Sequence, residues 1–425
     1  MDAFLKTYSS ESDTQKYRIS EMNAEQCLAL QAIKRGDNIL ITGSAGTGKS
    51  YLIREIYRYA KMVGKKIMIT GMTGVSSALL GGRTIHSALQ LGLGTKSVED
   101  IVNSILIRGR NGILMEWKKM NILVIDEVSM LNDELFEKIS NILCHLRSSP
   151  FVFGGVQVIL CGDFAQLPPV QGEFCFKSHY WKDAIPVTIV LKTLMRQRDD
   201  QDFQVILEKA RQGKCPRSTW DSLVNRMNSP FPEGIEPTVL FATRKDADNI
   251  NTSSYNALQS EEIVYKTLYG GRNSEMAKKW AKSQDIPDEL SLKIGAQVVL
   301  TANICVEEGL VNGTRGFVCR FTEEGPEVQI KNGRRVVIPQ KKQCDDTETL
   351  HVFNIPLQLA WALTIHKSQG MTLDCAAIDL GPSVFAHGQA YTALSRVRDL
   401  DSLHILDIAK SSFKLHPDVK AFYGW

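Results

Sequence analysis

The sequence predicts an α/β protein of two lobes, with a small insertion in the first and a β-rich module set into the second. Two textures point to this. Short apolar runs rich in β-branched residues alternate with helical patterns across residues 21–185, as in a parallel sheet covered by helices, and the alternation returns after Pro186. Between residues 262 and 350 it gives way to a polar, Lys-rich stretch. Short strand runs follow, broken by Asn312-Gly313 and Asn332-Gly333, dipeptides that suit tight hairpins.

Residues 1–20 are polar and aperiodic and read as a tail. In the first lobe the expected buried strands are Asn38-Ile-Leu-Ile-Thr42, Lys66-Ile-Met-Ile-Thr70, Asn121-Ile-Leu-Val-Ile125 and Gln157-Val-Ile-Leu-Cys161. The interval 91–116 opens on a Gly- and Ser-rich segment and carries no such run, so it reads as the insertion. The second lobe is expected over 186–261 and 351–425. Its candidate strands are Val187-Thr-Ile-Val-Leu191 and Thr238-Val-Leu-Phe-Ala242, and the α/β texture resumes at Leu357-Gln-Leu-Ala-Trp361. The module at 262–350 contributes Ala296-Gln-Val-Val-Leu300 and Gly316-Phe-Val-Cys-Arg320. Leu131, Leu135, Ile139 and Leu146 recur at helical spacing and belong in a core.

Composition removes several classes. Apolar residues make up 43% and charged residues 23% of 425, the balance of a globular chain without collagen-like or broadly disordered bias. Lys and Arg number 50 against 47 Asp and Glu, so the net charge of +3 neither demands nor excludes an anionic partner, and any basic surface is local. The 9 Cys stand singly with no C-x-x-C pair, which favours a reducing compartment and argues against structural zinc. No apolar run approaches the roughly 18 residues of a membrane span. Met1-Asp2-Ala3-Phe4 opens no secretory or Arg-rich pattern. The expected location is intracellular, in nucleus or cytoplasm, with no membrane partner and no secretion.

Gly43-Ser44-Ala45-Gly46-Thr47-Gly48-Lys49-Ser50 follows one predicted strand and opens a predicted helix, the context a P-loop requires. Glycines let the backbone wrap a polyphosphate with its N–H groups inward, and the helix adds its positive end. Lys49 would neutralise β and γ oxygens, and Ser50 offers a hydroxyl to Mg²⁺. A second strand ends in Asp126-Glu127, at the edge where parallel sheets bind ligands. Asp126 suits Mg²⁺ held through water, and Glu127 suits orientation and deprotonation of an attacking water. The plainer role for Asp126 is to cap the next helix. In Gly162-Asp163-Phe164-Ala165-Gln166-Leu167-Pro168-Pro169 the prolines stiffen a loop that would present Gln166 as a γ-phosphate sensor, or simply turn the chain. Arg196 and Arg396, both in the second lobe, are candidates to meet the charge that hydrolysis spreads over the γ-phosphate. Either alone is equally an ordinary surface ion pair.

These motifs occur in a familiar order. From Met22 to Tyr423 the chain resembles the Pif family of DNA helicases, relatives of the RecD group in superfamily one. The resemblance runs through GSAGTGKS, TGMTGVSSALLGGRTIHS, VIDEVSML, GDFAQLPPV, LMRQ, LVNGTRGFV, LQLAWALTIHKSQGMTLD and QAYTALSRV. Leu131-Asn-Asp-Glu-Leu-Phe136 through Phe153-Gly-Gly-Val-Gln157 is similar to the stretch that separates Pif helicases from other RecD-like enzymes. The resemblance implies two RecA-like lobes, a strand-separating wedge at 91–116 and an SH3-like domain at 262–350. It also implies an ATP-driven motor that moves 5′ to 3′ on single-stranded DNA and unwinds duplex, with roles in DNA replication, repair or recombination. Implied ligands are ATP, Mg²⁺, single-stranded DNA and forked or 5′-tailed duplex, bound by a chain that is monomeric in free solution. Gln26, in Asn23-Ala-Glu-Gln26, would read adenine, while Lys49, Ser50, Asp126, Glu127, Gln166, Arg196 and Arg396 would bind and hydrolyse ATP. Where the family writes A-P-T-G, this chain has Gly71-Met72-Thr73-Gly74 followed by Ser76-Ser77, so one DNA-facing loop of the first lobe is expected to be looser.

A motor on single strands needs phosphate contacts for grip, not base-edge readout. Thr73, Thr84, His86 and Ser87 in the first lobe and Thr364, His366, Lys367 and Ser368 in the second are the DNA-binding candidates. The plainer role of either histidine is a satisfied interior side chain. Lys331, Arg334, Arg335, Lys341 and Lys342, and Trp117-Lys118-Lys119 beside the wedge, line the DNA path or form a solvated face. Two other classes compete, the second with little support because a single-domain kinase needs no paired lobes or second-lobe arginines. A nucleotide-controlled clamp would bind DNA without unwinding it, and a P-loop phosphotransferase would modify an acceptor.

Overall fold

The computed structural model describes residues 22–74, 77, 80–91, 96–107, 113–193, 200–229, 237–305, 308–310, 312–330, 333–344, 349–373 and 375–425. They form two compact units. One holds the described residues before 236 together with Gln369–Trp425, and the other holds those from 237 to Ser368.

The first unit opens with α1 (Ala24–Arg35), started by a reciprocal cap between Asn23 and Gln26 and stopped at Gly36. There follow β1 (Ile39–Gly43), α2 (Lys49–Met62), β2 (Ile67–Gly71), β3 (Arg83–Thr84), α3 (Ile85–Ala88), α4 (Val98–Ile107), α5 (Ile113–Lys119), β4 (Ile122–Asp126), α6 (Asp133–Arg147), β5 (Gln157–Gly162), α7 (Trp181–Ala184), β6 (Val187–Leu191), α8 (Gln201–Arg211) and α9 (Arg217–Asn225). The strands form one parallel sheet in the order β3-β2-β4-β5-β1-β6. β1, β2, β4 and β5 are buried at every residue, which is why they read as unbroken apolar runs rather than alternating ones. Ile39, Ile41, Ile69, Val124 and Ile159 pack with Leu52, Ile53 and Ile56 of α2 to make the core.

Three expectations for the first unit need correction. β6, expected to open the second lobe, pairs with β1 along its whole length, so the first sheet runs on to Leu191. Leu191 belongs to the same core cluster as Ile39 and Ile41, and this shared core fixes the strand. In α6 the buried residues are Phe136, Ile139, Ile142, Leu143 and Leu146, whereas Leu135 is only half-buried. Phe136 meets Phe153 edge-on at 5.3 Å, so the family-like stretch is largely packing. The insertion carries α4 and α5, and α5 continues to Lys119. Its Trp117 is fully buried with the indole N–H donating to Ala88 O at 3.0 Å, which removes it from any DNA surface, while Lys118 and Lys119 are exposed.

The second unit contains β7 (Thr238–Phe241), α10 (Arg244–Ala257), β8 (Glu262–Lys266), β9 (Leu268–Gly271), α11 (Ser274–Ser283), β10 (Glu289–Lys293), β11 (Gln297–Leu300), β12 (Arg315–Thr322), β13 (Gly325–Ile330), β14 (Arg335–Val337), β15 (Lys341–Cys344), β16 (Leu350–Asn354), β17 (Leu357–Leu359) and β18 (Ala362–Thr364). An antiparallel sheet β14-β13-β12-β11-β17 encloses Leu292, Val298, Leu300, Val318, Val328 and Leu357. Leu357-Gln-Leu, expected to resume the α/β lobe, therefore closes the antiparallel sheet, pairing Val298 with Leu359 and Leu300 with Leu357. Two smaller sheets, β15-β16-β9 and β10-β8, complete the strands of this module. β7 and β18 pair in parallel beside α10, whose Asn251 side chain bonds both N–H and C=O of Ala362 at 2.9 Å.

Back in the first unit, β19 (Ala376–Leu380) and β20 (Leu403–Ile408) pair in parallel around α12 (Gln389–Leu394), and α13 (Pro417–Tyr423) ends the chain's order of elements. Among the described residues every cysteine is free. No helix there is long and apolar enough to cross a membrane.

Candidate active site

Parallel strands place their carboxyl ends on one edge, and β4, β5 and β1 are neighbours. The P-loop after β1, the acid pair ending β4 and the Gln166 loop after β5 are therefore brought to a common rim. Gly48 caps α2 with φ of 84°, a left-handed conformation that an L side chain adopts only under strain, and no side chain caps the helix. Gly48 thus offers no capping side chain to the start of α2, the arrangement that receives an anion. Gly43, Ala45 and Thr47 are buried and Ser44, Gly46, Gly48 and Lys49 half-buried, while Ser50 is exposed. The Lys49 ammonium donates to Gly43 O at 2.8 Å and Ser44 O at 2.9 Å, which folds it over the loop.

Asp126 is 8% exposed, and it does not cap the next helical turn, whose cap residue is Glu127. Burial first, and then the charge of Glu127, push its carboxyl up to about 7. Burial also raises the thiol of Cys161, which bonds Asp126. Glu127 sits at φ 55°, ψ 46°, a sparsely populated backbone state that costs energy and concentrates at functional sites. Its Oε2 accepts from Gln369 Nε2 at 3.0 Å.

Gln166 is 5% exposed, and its Oε1 has no hydrogen-bond partner. Gln26 is fully buried; its Oε1 takes the Asn23 N–H at 3.1 Å, and its Nε2 has no partner. A buried amide left half-satisfied is unfavourable unless a ligand completes it, so both side chains fit a nucleotide. Arg396 is 4% exposed, with Nε donating to Thr392 O at 2.8 Å, Nη1 to Met371 O at 3.2 Å and Nη2 to Ser395 Oγ at 2.6 Å. Contact with a phosphate requires exchange of some of these bonds. Arg196 lies outside the described residues.

The sequence reading missed Asp163, Arg211, Tyr391, Tyr423 and Gln369. Asp163 is fully buried and accepts from Arg211 Nε at 2.9 Å and Nη2 at 3.1 Å, from Tyr391 Oη at 3.0 Å and from Tyr423 Oη at 3.1 Å. Burial, the largest single influence, opposes its ionisation, but the charge and hydrogen bonds of Arg211, with the Lys49 charge and the Ala165 N–H, together hold the carboxyl below its ordinary value. The Arg211 guanidinium also lies over the rings of Tyr423 and Trp425 at 5.0 and 4.8 Å. Asp163, Gln369 and Tyr391 stood inside quoted motifs, beside residues chosen for them. Arg211 gave no signal, since an arginine in an amphipathic helix is ordinarily solvated.

Among the DNA candidates, Thr84 caps α3 by accepting the Ser87 N–H at 3.2 Å, and His86 is half-buried with its pKa lowered by burial. Thr73 accepts from both the N–H and the hydroxyl of Ser77 through its carbonyl, at 3.2 and 2.7 Å. In the second unit, Thr364 and Lys367 line a cavity of about 500 Å³ with Arg244, Asn251, Asp285 and Gln358. Asp285 pairs with Arg244 at 3.0 Å and Lys367 at 3.5 Å. His366 is half-buried, its pKa also lowered by burial. Ser368 corrects the expectation: it is fully buried and donates to Ile365 O at 2.8 Å, so it holds the turn rather than meeting a ligand. In the β-module Arg334 pairs with Glu308, Arg335 bonds Gln329, Lys341 is held by Asn303 O and Lys342 is exposed; Lys331 lies outside the described residues.

The family described as PIF1-like helicase matches residues 21–220, and the one described as DNA helicase Pif1, 2B domain, matches 283–321. The crystal structure of Pif1 helicase from Candida albicans is 34% identical with a TM-score of 0.86, over 95% of this chain and 99% of that one. The chain belongs to the PIF1-like helicase family. Its α/β architecture with two RecA-like lobes is that of the Pif1 helicases. It is 37% identical over 418 residues to ATP-dependent DNA helicase PIF1 of Homo sapiens, covering 95% of this chain and 64% of that protein. The chain thus spans less than two thirds of that relative's length. Pif1 helicase from Bacteroides, in complex with ADP-AlF3 and ssDNA, is 25% identical with a TM-score of 0.73 over 95% of this chain and 96% of that one.

Proposed function

We propose that this member of the PIF1-like family is an ATP-dependent DNA helicase that moves 5′ to 3′ on single-stranded DNA and unwinds forked or 5′-tailed duplex. The observation that carries the ATPase half is the common rim of β1, β4 and β5, where Lys49, the pair Asp126 and Glu127, and Gln166 converge. Here Lys49 would exchange its two loop carbonyls for phosphate oxygens. Ser50 and Asp126 would hold Mg²⁺, which supplies charge neutralisation on the phosphates. Glu127, already oriented by Gln369, would take the proton of the attacking water, and Gln166 would report the γ-phosphate. Gln26 would offer its unpaired Nε2 to adenine. Arg396 and Arg196 would stabilise charge on the transferred group.

For DNA, Lys367, Arg244 and Thr364 around one cavity suit phosphate contacts, with Thr73, Thr84, His86, Ser87 and His366 as further polar contacts. The nucleic-acid complex of the Bacteroides relative supports this partner. Coupling of hydrolysis to stepping of the two RecA-like lobes, action as a monomer, an intracellular location and service in replication, repair or recombination belong to the same proposal. Strand displacement on duplexes with a 5′ or a 3′ overhang tests it. Unwinding of the 5′-tailed substrate alone, lost in Lys49→Ala, is the expected result. ATP-dependent DNA binding without displacement would instead make the protein a clamp.

A further inference from the structure

Tyr391 of α12 is 1% exposed, and its hydroxyl accepts from the Ala45 N–H at 2.8 Å while donating to Asp163 Oδ2 at 3.0 Å. Ala45 is a P-loop residue, itself 7% exposed, so its N–H has no ready replacement partner in water. The start of α12 also lies directly on the Gln166 loop. A Cβ at Gly388 would stand 2.3 Å from Gln166 O, which leaves room there for glycine alone. The same helix gives Thr392 O to the Arg396 guanidinium at 2.8 Å. One short helix therefore touches the P-loop, the Gln166 loop and the arginine that follows it.

Resting on the nucleotide-site assignment above, we propose that Tyr391 is a positioning residue, its hydroxyl holding the P-loop backbone at Ala45 in register with the Gln166 loop and α12. The tyrosine does not touch the phosphates. It fixes one point of the backbone whose neighbouring N–H groups face them, and a loop allowed to drift at that point presents its donors off-line. Tyr423 is the internal control. Its hydroxyl donates to the other oxygen of Asp163 at 3.1 Å, receives the Phe164 N–H at 3.2 Å and lies 2.6 Å from Thr42 Oγ1, yet it makes no such bond to Ala45. Because Tyr423 donates to a carboxylate, Thr42 is the donor in the last pair.

Steady-state ATP hydrolysis and binding of a fluorescent ADP analogue are compared in the wild type, Tyr391→Phe, Tyr423→Phe and Lys49→Ala, with melting curves for each. Both Phe variants keep ring volume and lose one hydroxyl on Asp163, so both should melt slightly lower. Tyr391→Phe should raise KM and the analogue's Kd about tenfold with kcat within about twofold, and Tyr423→Phe should leave KM as it is. An unchanged KM in Tyr391→Phe, or an equal rise in Tyr423→Phe, overturns the positioning role while Lys49→Ala is inactive. If Lys49→Ala turns over normally, the nucleotide-site assignment itself fails and the role of Tyr391 falls with it.

Discussion

Asp126 ends β4 and Asp163 follows β5, the neighbouring strand; both are interior carboxylates, 8% and 0% exposed, yet their surroundings are opposite. Asp163 has a bidentate guanidinium and two phenolic hydroxyls around it. Asp126 has another acid beside it, and the influence of Glu127 exceeds that of Lys49. An acid whose counter-charge is built into the chain is architecture. One left short of positive charge on the ligand-binding rim of a parallel sheet suits the cation proposed for it above.

The contrast breaks most sharply at Asp163. Replacing it with Ala leaves Arg211 buried without its acid, and loss of one partner of a buried pair costs about 3–5 kcal/mol. Urea unfolding should register that loss, and Arg211→Met in the same chain should recover much of it, because two apolar groups replace two charges. A loss below about 1 kcal/mol would mean that Asp163 is not the hub its hydrogen bonds describe.

Asp126→Asn should do the reverse. Removing the charge of the buried member of two adjacent acids relieves repulsion and desolvation, so stability should hold or rise by about 0.5–1 kcal/mol, within the range of ordinary stabilising substitutions. ATP hydrolysis should nevertheless fall at least about 10²-fold, because the group that would carry the metal's charge is gone. Marked destabilisation with intact turnover would reverse the roles assigned to the two acids.

Much of this site was legible in the sequence because its parts are local. A strand, a Gly-rich turn and a helix start are adjacent in the chain, and the P-loop, Asp126-Glu127 and Gln166 each lie within a few residues of a buried run. What escaped depends on distance along the chain. Arg211 reaches Asp163 across 48 residues and Tyr391 reaches Ala45 across 346. No periodicity encodes such a contact, and the polar side chains that make it resemble ordinary surface residues until burial is known. The run that forms β6 reads as a strand and the one that forms β17 as the return of the α/β texture, and both join other sheets than expected for the same reason. Their apolar faces do not state which partner they will pair with, and register across sheets is settled by shared cores such as that of Leu191 with Ile39.

The smallest effect is in the pH dependence of stability. Asp163 has a folded pKa below its ordinary 3.8: burial is the largest single influence and opposes ionisation, but the Arg211 charge and hydrogen bonds, the Lys49 charge and the Ala165 N–H together outweigh it. A carboxylate with a depressed folded pKa contributes its full stabilisation above the unfolded value and loses it as pH falls through the folded one. The wild type should therefore exceed Asp163→Asn in melting midpoint by a constant margin from neutrality down to about pH 4, and the margin should shrink below that. Other acids with lowered values, such as Asp288 and Glu327, titrate alike in both proteins and cancel in the difference. Each unit by which the folded value is depressed corresponds to about 1.4 kcal/mol, so the total by which the margin closes measures the net pull of Arg211, Lys49 and the Ala165 N–H against burial. A margin that widened on acidification would mean that burial, not Arg211, governs Asp163, and would make it the same kind of acid as Asp126.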